Sequence, residues 1–471
     1  MKKLIWILAL LLLAGCSRGE TEPLNTPLPE QPPVEQPSGN VYLYMDDNRY
    51  LAVDDGGNVV MEVTDGQLSI LRRDEKIIGY AVKRSDGIVT DEYGWAQPEK
   101  TWNDLYDENF EFLYSLPLSY VALEHDLISG WNPNTGTSQV YRLSDGTLLY
   151  DDIYAFYELG EYCYVNQDDW NAPGMFLDGQ GNTIAQVPQD CTTGGSVLDQ
   201  YMVVIKNELH GLIAPDGTLA LPFAYHELRS GQLGCVFARD DSGWHAIEVS
   251  TGKEVFSSPT PILKLFSETA IVEDESGDAY QMVDYSGNAL MDERFIWVNS
   301  YDTDDDGTPE LLEAPLYEQD GNILFSPDGT VLYLSNTESS YMVMDENTVV
   351  LTIIPQNSVD DPSGYLRYLL DPISGTQTLL PETSADAFYS PLYTEFGREH
   401  GLISRGGSNE LGWYRTDILD TDGTVLLEGL QDMIYRGDGV FQCSRGFTSG
   451  LLRLDGTWLY EESSFSSLTD N

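Results

Sequence analysis

The run Asp302-Thr303-Asp304-Asp305-Asp306-Gly307-Thr308-Pro309-Glu310 carries the side chains best spaced for chemistry in this 471-residue chain. A hard cation such as Ca²⁺ takes roughly six to eight oxygens, and alternate carboxylates on a tight loop supply them. Asp302, Asp304 and Asp306 stand at positions 1, 3 and 5 of such a loop. Gly307 permits the sharp turn, Thr308 offers its carbonyl, and Glu310 stands at position 9. The expected metal ligands are therefore Asp302, Asp304, Asp306, Thr308 and Glu310, and the expected ion is Ca²⁺. The competing reading is an ordinary solvated acidic turn.

Glu313 falls at position 12, where an EF-hand places its bidentate ligand. An EF-hand needs flanking helices, and here residues 296–298 and 311–312 read as strands. Pro309 also suits that loop poorly. The run Asp306-Gly307-Thr308-Pro309-Glu310-Leu311-Leu312 instead resembles the calcium loops of FG-GAP repeats, which sit in hairpins of integrin-type propellers. That resemblance implies that Glu310 closes the site and that Glu313 is not used.

Other chemistry is scarce. Asp54-Asp55-Gly56-Gly57-Asn58 and Asp240-Asp241-Ser242-Gly243 read as turn chemistry. The five histidines, His125, His210, His226, His245 and His400, form no HExxH pair. Three of them, His125, His210 and His400, precede a Leu-Ile pair after one residue, which reads as a repeated structural position. No GxSxG elbow, phosphate loop or dinucleotide fingerprint occurs. With 77 acidic residues a glycosidase-type carboxylate pair is conceivable, but no spacing selects one. No catalytic or organic cofactor-binding residue is expected.

The N-terminus speaks of location. Lys2 and Lys3 precede an apolar run of residues 4–13, followed by Ala14-Gly15-Cys16. A basic start, a short apolar stretch and small residues describe an export signal, and the run is well short of the about 20 residues that span a bilayer. The stretch resembles a bacterial lipoprotein signal with its lipobox. The resemblance implies cleavage after residue 15 and fatty acylation of Cys16. Residues 16–40 would then be the lipidated cysteine and a linker rich in Pro, Glu, Gln, Thr and Ser, a composition that stays extended.

Charge narrows the partners. There are 24 Lys and Arg against 77 Asp and Glu, a formal net charge of −53. Such a chain lacks the basic face that nucleic acid needs. Docking flat on anionic lipid is equally disfavoured. Apolar content of 41% and aromatic content of 11% suffice for packed cores. Cys163, Cys191, Cys235 and Cys443 are too few for a disulfide framework. Cys163–Cys191 pairing and buried thiols are both compatible with an exported chain.

From residue 41 to 462, apolar runs of four to seven residues alternate with Asp-Gly, Ser-Gly and Gly-Asn turns, the pattern of short strands and hairpins. Gly87, Gly146, Gly181, Gly217, Gly252, Gly287, Gly329, Gly375, Gly423 and Gly456 each follow an apolar run and a polar turn residue. From Gly146 to Gly287 they recur every 35 or 36 residues, and the step from Gly287 to Gly329 is 42, as if a loop were inserted. A repeat of this length points to stacked supersecondary units. One unit reads as strands at 201–205, 210–214 and 219–221, with 225–228 as a fourth. Its residues Glu208-Leu209-His210-Gly211-Leu212-Ile213, Asp216-Gly217, Leu221-Pro222 and Tyr225-His226 resemble the unit of the WG-repeat family of bacterial surface proteins, with His210 in place of the eponymous Trp.

The expected architecture is all-β: a β-propeller-like array of three- or four-stranded units, about seven to ten of them, in one large ring or two smaller ones. An open, solenoid-like array is the alternative. Residues 463–471 read as a polar tail. The expected function is a non-enzymatic binding module, lipid-anchored at the extracytoplasmic face of the cell membrane, with an envelope protein or glycan as ligand. Alternatives are an extracytoplasmic hydrolase acting on glycan and an envelope assembly factor.

Overall fold

The computed structural model describes residues 40–46, 49–73, 76–90, 96–167, 172–198, 200–303, 307–337, 339–345, 348–353, 366–380, 388–392, 397, 400–408 and 414–463. Their strands form ten antiparallel sheets, and in each sheet the strands follow one another in chain order. We number the sheets in sequence: sheet 1 (41–63), sheet 2 (66–116), sheet 3 (122–153), sheet 4 (155–186), sheet 5 (192–225), sheet 6 (227–258), sheet 7 (262–284), sheet 8 (299–334), sheet 9 (339–379) and sheet 10 (388–463). Sheets 1 and 7 have three strands, sheet 10 has seven, and the others have four. Every sheet is a meander, as in a propeller blade, and not one coil of a solenoid.

Strands alternate their side chains between two faces, and here both faces are apolar. In Thr269–Glu273 of sheet 7, Ala270 and Val272 pack with Phe237, Trp244 and Phe256 of sheet 6. Ile271, between them, packs with Leu312, Ile323 and Phe325 of sheet 8. One meander cannot bury two apolar faces alone, so sheet 7 is covered by the preceding and the following sheet.

The chain divides into two compact units, Met1–Lys206 with Ile213–Leu219, and Asn207–Leu212 with Ala220–Asn471. In the first unit, Ala52 and Met61 of sheet 1 meet Tyr80 and Val82 of sheet 2. Ala81, facing the other way, meets Ile128 of sheet 3, and Leu127 of sheet 3 meets Val165 and Leu177 of sheet 4. In the second unit the same alternation joins sheets 6 to 7, 7 to 8, 8 to 9 and 9 to 10. Sheet 10 holds two meanders that share the 13-residue strand Val425–Gly437. That strand pairs with Tyr414–Leu419 through its first half and with Val440–Arg445 through its second, with a register shift between Gln431 and Ile434.

The glycine period has a direct structural meaning. Gly146, Gly181, Gly217, Gly252, Gly287, Gly329, Gly375, Gly423 and Gly456 all have positive φ, and each follows the third strand of its meander. The turn needs the left-handed region, which a Cβ disfavours. An Asp often completes it: Asp284 Oδ1 accepts from the amides of Ser286 and Asn288, both at 2.8 Å. Asp54 and Asp240 do the same at their turns, so those clusters are turn chemistry.

Four expectations need correction or a decision. Gly87 lies inside the long strand Lys76–Thr90, where pairing with Ala96–Tyr106 continues past it to Thr90. Glu227–Ser230 does not complete the unit that begins at Tyr201; it opens sheet 6, and the missing strand is Thr192–Val197. His210 lies within a third strand, whereas His125 precedes a second strand, so the two are not equivalent. Cys163, Cys191, Cys235 and Cys443 are all buried free thiols. The last strand, Trp458–Ser463, reaches the start of the expected tail.

Candidate functional site

The expected metal loop joins the first two strands of sheet 8, Asn299–Tyr301 and Leu311–Pro315. Residues 296–298 are not strand; Ile296 and Trp297 are half-exposed, and the strand itself begins at Asn299. Asp302, Thr308 and Glu310 are described, whereas Asp304 and Asp306 lie outside the described residues. Glu310 folds back on the loop, its Oε2 accepting from the amide of Thr303 at 2.6 Å and from its hydroxyl at 2.7 Å. Asp302 Oδ2 accepts from the Gly307 amide at 2.7 Å. Asp302 Oδ1 is buried and has no hydrogen-bond partner.

An unpartnered buried carboxylate oxygen is costly, and a cation would satisfy it. Asp302 and the free Oε1 side of Glu310 therefore fit an oxygen-ligated ion such as Ca²⁺. Among the described residues no three His, Cys, Asp or Glu side chains gather as a metal cluster. Glu313 is engaged elsewhere: it is 4% exposed and accepts from Tyr301 Oη at 2.7 Å and Asn299 Nδ2 at 3.3 Å. Its EF-hand position thus has no counterpart in the geometry. Cys16 lies outside the described residues.

A second cluster gathers at the edge of sheet 3. Burial, reinforced by the like charge of Glu158, pushes the Glu124 carboxyl up to about 7. Its Oε2 is buried without a partner. His125 places Nε2 2.9 Å from the Gly160 carbonyl and 3.3 Å from Glu158 Oε1. Burial holds the neighbouring Cys163 thiol protonated, at about 12. Such a carboxyl can keep a proton near neutral pH, a property general acids share.

A third feature escaped the sequence reading. In sheet 10 a cavity of about 470 Å³ is lined by Arg405, Arg415 and Arg445 together with Asp417, Glu428 and the backbone of Gly406, Gly407, Gly429 and Gly446. A signal did exist: six of the 24 basic residues lie between Arg398 and Arg453, and all six are arginine.

No family model matches the sequence, and no curated protein matches it either. Solved structures share its architecture only distantly. The crystal structure of a eukaryotic initiation factor is 10% identical, with 83% of this chain and 96% of that one covered, at a TM-score of 0.38. Hsv2 of Kluyveromyces marxianus is 9% identical over 57% of this chain and 97% of its own, at 0.30. An uncharacterised protein of Listeria monocytogenes is 10% identical over 64% and 91%, at 0.28.

Proposed function

We propose that this chain is a lipid-anchored, extracytoplasmic interaction module of a cell envelope, whose loop at 302–310 is stiffened by Ca²⁺. The observation that supports the binding role is the use of both faces of the sheets in packing on one another. In sheets 2, 3, 7, 8 and 9 the two faces pack on two neighbours. What remains for a partner is the hairpins and edge strands at the ends of the sheets. Loops on a rigid scaffold are the usual place for recognition. Anchoring rests on Cys16 and its preceding apolar run, and the acidic surface suits an ectodomain held off anionic lipid. The partner is an envelope protein or a glycan.

The test is expression of the full chain and of Cys16→Ser with metabolic fatty-acid labelling and fractionation. The wild type takes up label and sediments with membranes; Cys16→Ser does neither. Equal sedimentation of both would remove the anchor. For the loop, Ca²⁺ raises the melting temperature of the wild type and not of Asp302→Asn; no Ca²⁺ response in the wild type would remove the ion. The raised carboxyl of Glu124 beside Glu158 favours one second reading, a hydrolase acting on glycan. It predicts turnover abolished in Glu124→Gln.

A further inference from the structure

In sheet 6 the turn Asp241-Ser242 joins the strands Cys235–Asp240 and Gly243–Glu248. Ser242 is exposed there, and its Oγ lies 3.1 Å from Nε2 of His245. The other ring nitrogen, Nδ1, lies 2.6 Å from Oε2 of Glu254 on the next strand, Lys253–Ser258. A hydroxyl at one imidazole nitrogen and a carboxylate at the other is the arrangement that makes a serine nucleophilic. The imidazole takes the hydroxyl proton, and the acid fixes the tautomer and steadies the imidazolium. The His245 side chain is only 14% exposed, so its neighbours hold the ring in place.

Asp240 sets the turn. Its Oδ1 accepts from the Ser242 amide at 2.7 Å and from the Ser242 hydroxyl at 2.6 Å, and it lies 3.0 Å from His245 Nε2. Ser242 Oγ is thereby kept within reach of the ring. Burial lowers the imidazole pKa, while Asp240 and Glu254 outweigh burial and keep the ring protonated above 6.5. His245 therefore acts as a base only once pH has passed its raised pKa. The other titratable groups here are His226, whose Nε2 lies 2.9 Å from Asp241 Oδ1, and Tyr225 at the end of sheet 5, whose carbonyl lies 3.3 Å from His210 Nδ1. Burial, with the charges of Asp240 and Glu254 added, raises the Tyr225 pKa, so its phenol stays protonated. A protonated phenol that feels both carboxylates can donate to a developing oxyanion.

We propose that Ser242, His245 and Glu254 form a triad that hydrolyses esters of small acyl groups. Neutral Nε2 takes the Oγ proton as Oγ adds to the ester carbonyl carbon, whose π pair moves to oxygen. The oxyanion collapses and expels the alkoxide, which takes the proton from Nε2 and leaves as the alcohol. Water then gives a proton to Nε2 and adds to the acyl-serine ester; collapse releases the carboxylic acid and returns the proton to Oγ. The sum is ester and water to acid and alcohol. The acyl group is small because the neighbours of Ser242 in the turn, Asp240, Asp241 and Gly243, offer a long chain no apolar surface to bury. An exposed turn also admits an ester carried on a polymer, which a closed cavity would not. This activity goes beyond the interaction-module reading and needs neither anchor nor calcium.

The purified chain in EDTA tests it, with p-nitrophenyl acetate and p-nitrophenyl decanoate as substrates and a fluorophosphonate as a label located by peptide mass spectrometry. Acetate turnover should rise with pH through the His245 pKa, decanoate should turn over at least about tenfold more slowly, and the label should sit on Ser242. Ser242→Ala should lose the label and at least about tenfold in turnover. That variant keeps all five histidines, so the loss belongs to the serine and not to an imidazole attacking the ester. Glu254→Gln should lower kcat at least about tenfold, and Asp240→Asn should move the rising limb of the pH profile to lower pH, which a merely structural role would not do. No turnover and no label in the folded wild type overturns the proposal, as does full turnover in Ser242→Ala. An unchanged kcat in Glu254→Gln overturns the triad, an unmoved limb in Asp240→Asn overturns His245 as the base, and faster decanoate overturns the small acyl group. The label is read on the wild type, so the test stands even where a variant unfolds. Anchoring and calcium are read in other assays, so their failure is separable from this one.

Discussion

Arg84 Nε donates to Asp104 Oδ2 at 2.6 Å between the two central strands of sheet 2, with side chains only 10% and 9% exposed. Asp65 holds the same guanidinium, and Ser115 Oγ donates to Asp104 Oδ1 at 2.5 Å. Burial opposes the Arg84 charge, while its hydrogen bonds to Asp104 and Asp65 outweigh it and raise its pKa. Removing one partner of a buried pair leaves the other uncompensated. Asp104→Ala is therefore expected to destabilise the transition that includes sheet 2 by about 3–5 kcal/mol. Replacing both, Arg84→Met with Asp104→Leu, should restore much of it. Thermal unfolding of the three proteins checks this; a double variant no better than Asp104→Ala would show that the pair's worth is not mutual.

The turn glycines separate two costs that are usually mixed. Gly252 has φ +67, and a Cβ there would meet nothing within 4 Å. Gly181 has φ +84, and a Cβ there would sit 2.4 Å from Leu149 Cδ1 and 3.0 Å from Leu127 Cδ2. Gly252→Ala should thus cost only the left-handed backbone penalty, about 1–2 kcal/mol. Gly181→Ala should cost more, because Leu149 must also move. Gly252→Asn should cost less than Gly252→Ala, since Asn tolerates this region. Denaturant midpoints for the three variants decide the order.

These turns explain why so much of the fold could be read from the chain. A positive φ after the third strand of each meander from sheet 3 onward makes glycine recur once per meander, so the 35- or 36-residue step between Gly146 and Gly287 counts sheets. First strands were harder to see. Thr192–Val197 and Asn299–Tyr301 are built from polar and small residues, because they lie at sheet edges where burial is partial. Gly87 has the local sequence of a turn, while pairing of its strand with Ala96–Tyr106 overrides it. The arginine cavity was invisible for another reason. Arg405 and Arg415 stand on the paired strands of one hairpin and Arg445 on a later one, and the two hairpins are joined through the shared strand Val425–Gly437. The acidic loop at 302–310, being local, was legible as a motif; the orphaned Oδ1 of Asp302 was not.

His245 in sheet 6 gives a pH dependence of known sign. Its Nδ1 lies 2.6 Å from Glu254 Oε2 and its Nε2 3.0 Å from Asp240 Oδ1. Burial lowers the imidazole pKa, and Asp240 and Glu254 outweigh it, so the folded value is raised above 6.5. A group whose folded pKa is raised stabilises fully below its unfolded value and loses that contribution as pH rises through the folded one. Melting temperature should therefore fall as pH rises above 6.5, and His245→Gln should flatten that part of the curve. Asp240 and Glu254 are 38% and 51% exposed, so the effect is modest and shrinks in salt. A wild-type curve that rises across this range would contradict the assignment.

Glu124 acts in a lower window with the same sign. Burial, with Glu158 adding to it, raises its carboxyl from 4.5 to about 7. Below pH 4.5 the folded and unfolded chains both hold the proton and no difference arises. Between 4.5 and about 7 the unfolded chain ionises while the folded chain keeps its proton, so stability falls as pH rises. Above that the loss is complete. Glu124→Gln, neutral at every pH, should remove this slope and be more stable than the wild type at pH 8, and Glu158→Gln should reduce the slope without abolishing it, because burial is the larger cause. Parallel curves for wild type and Glu124→Gln from pH 4 to 8 would mean that the carboxyl titrates normally, and would also withdraw the one observation that favours a hydrolase.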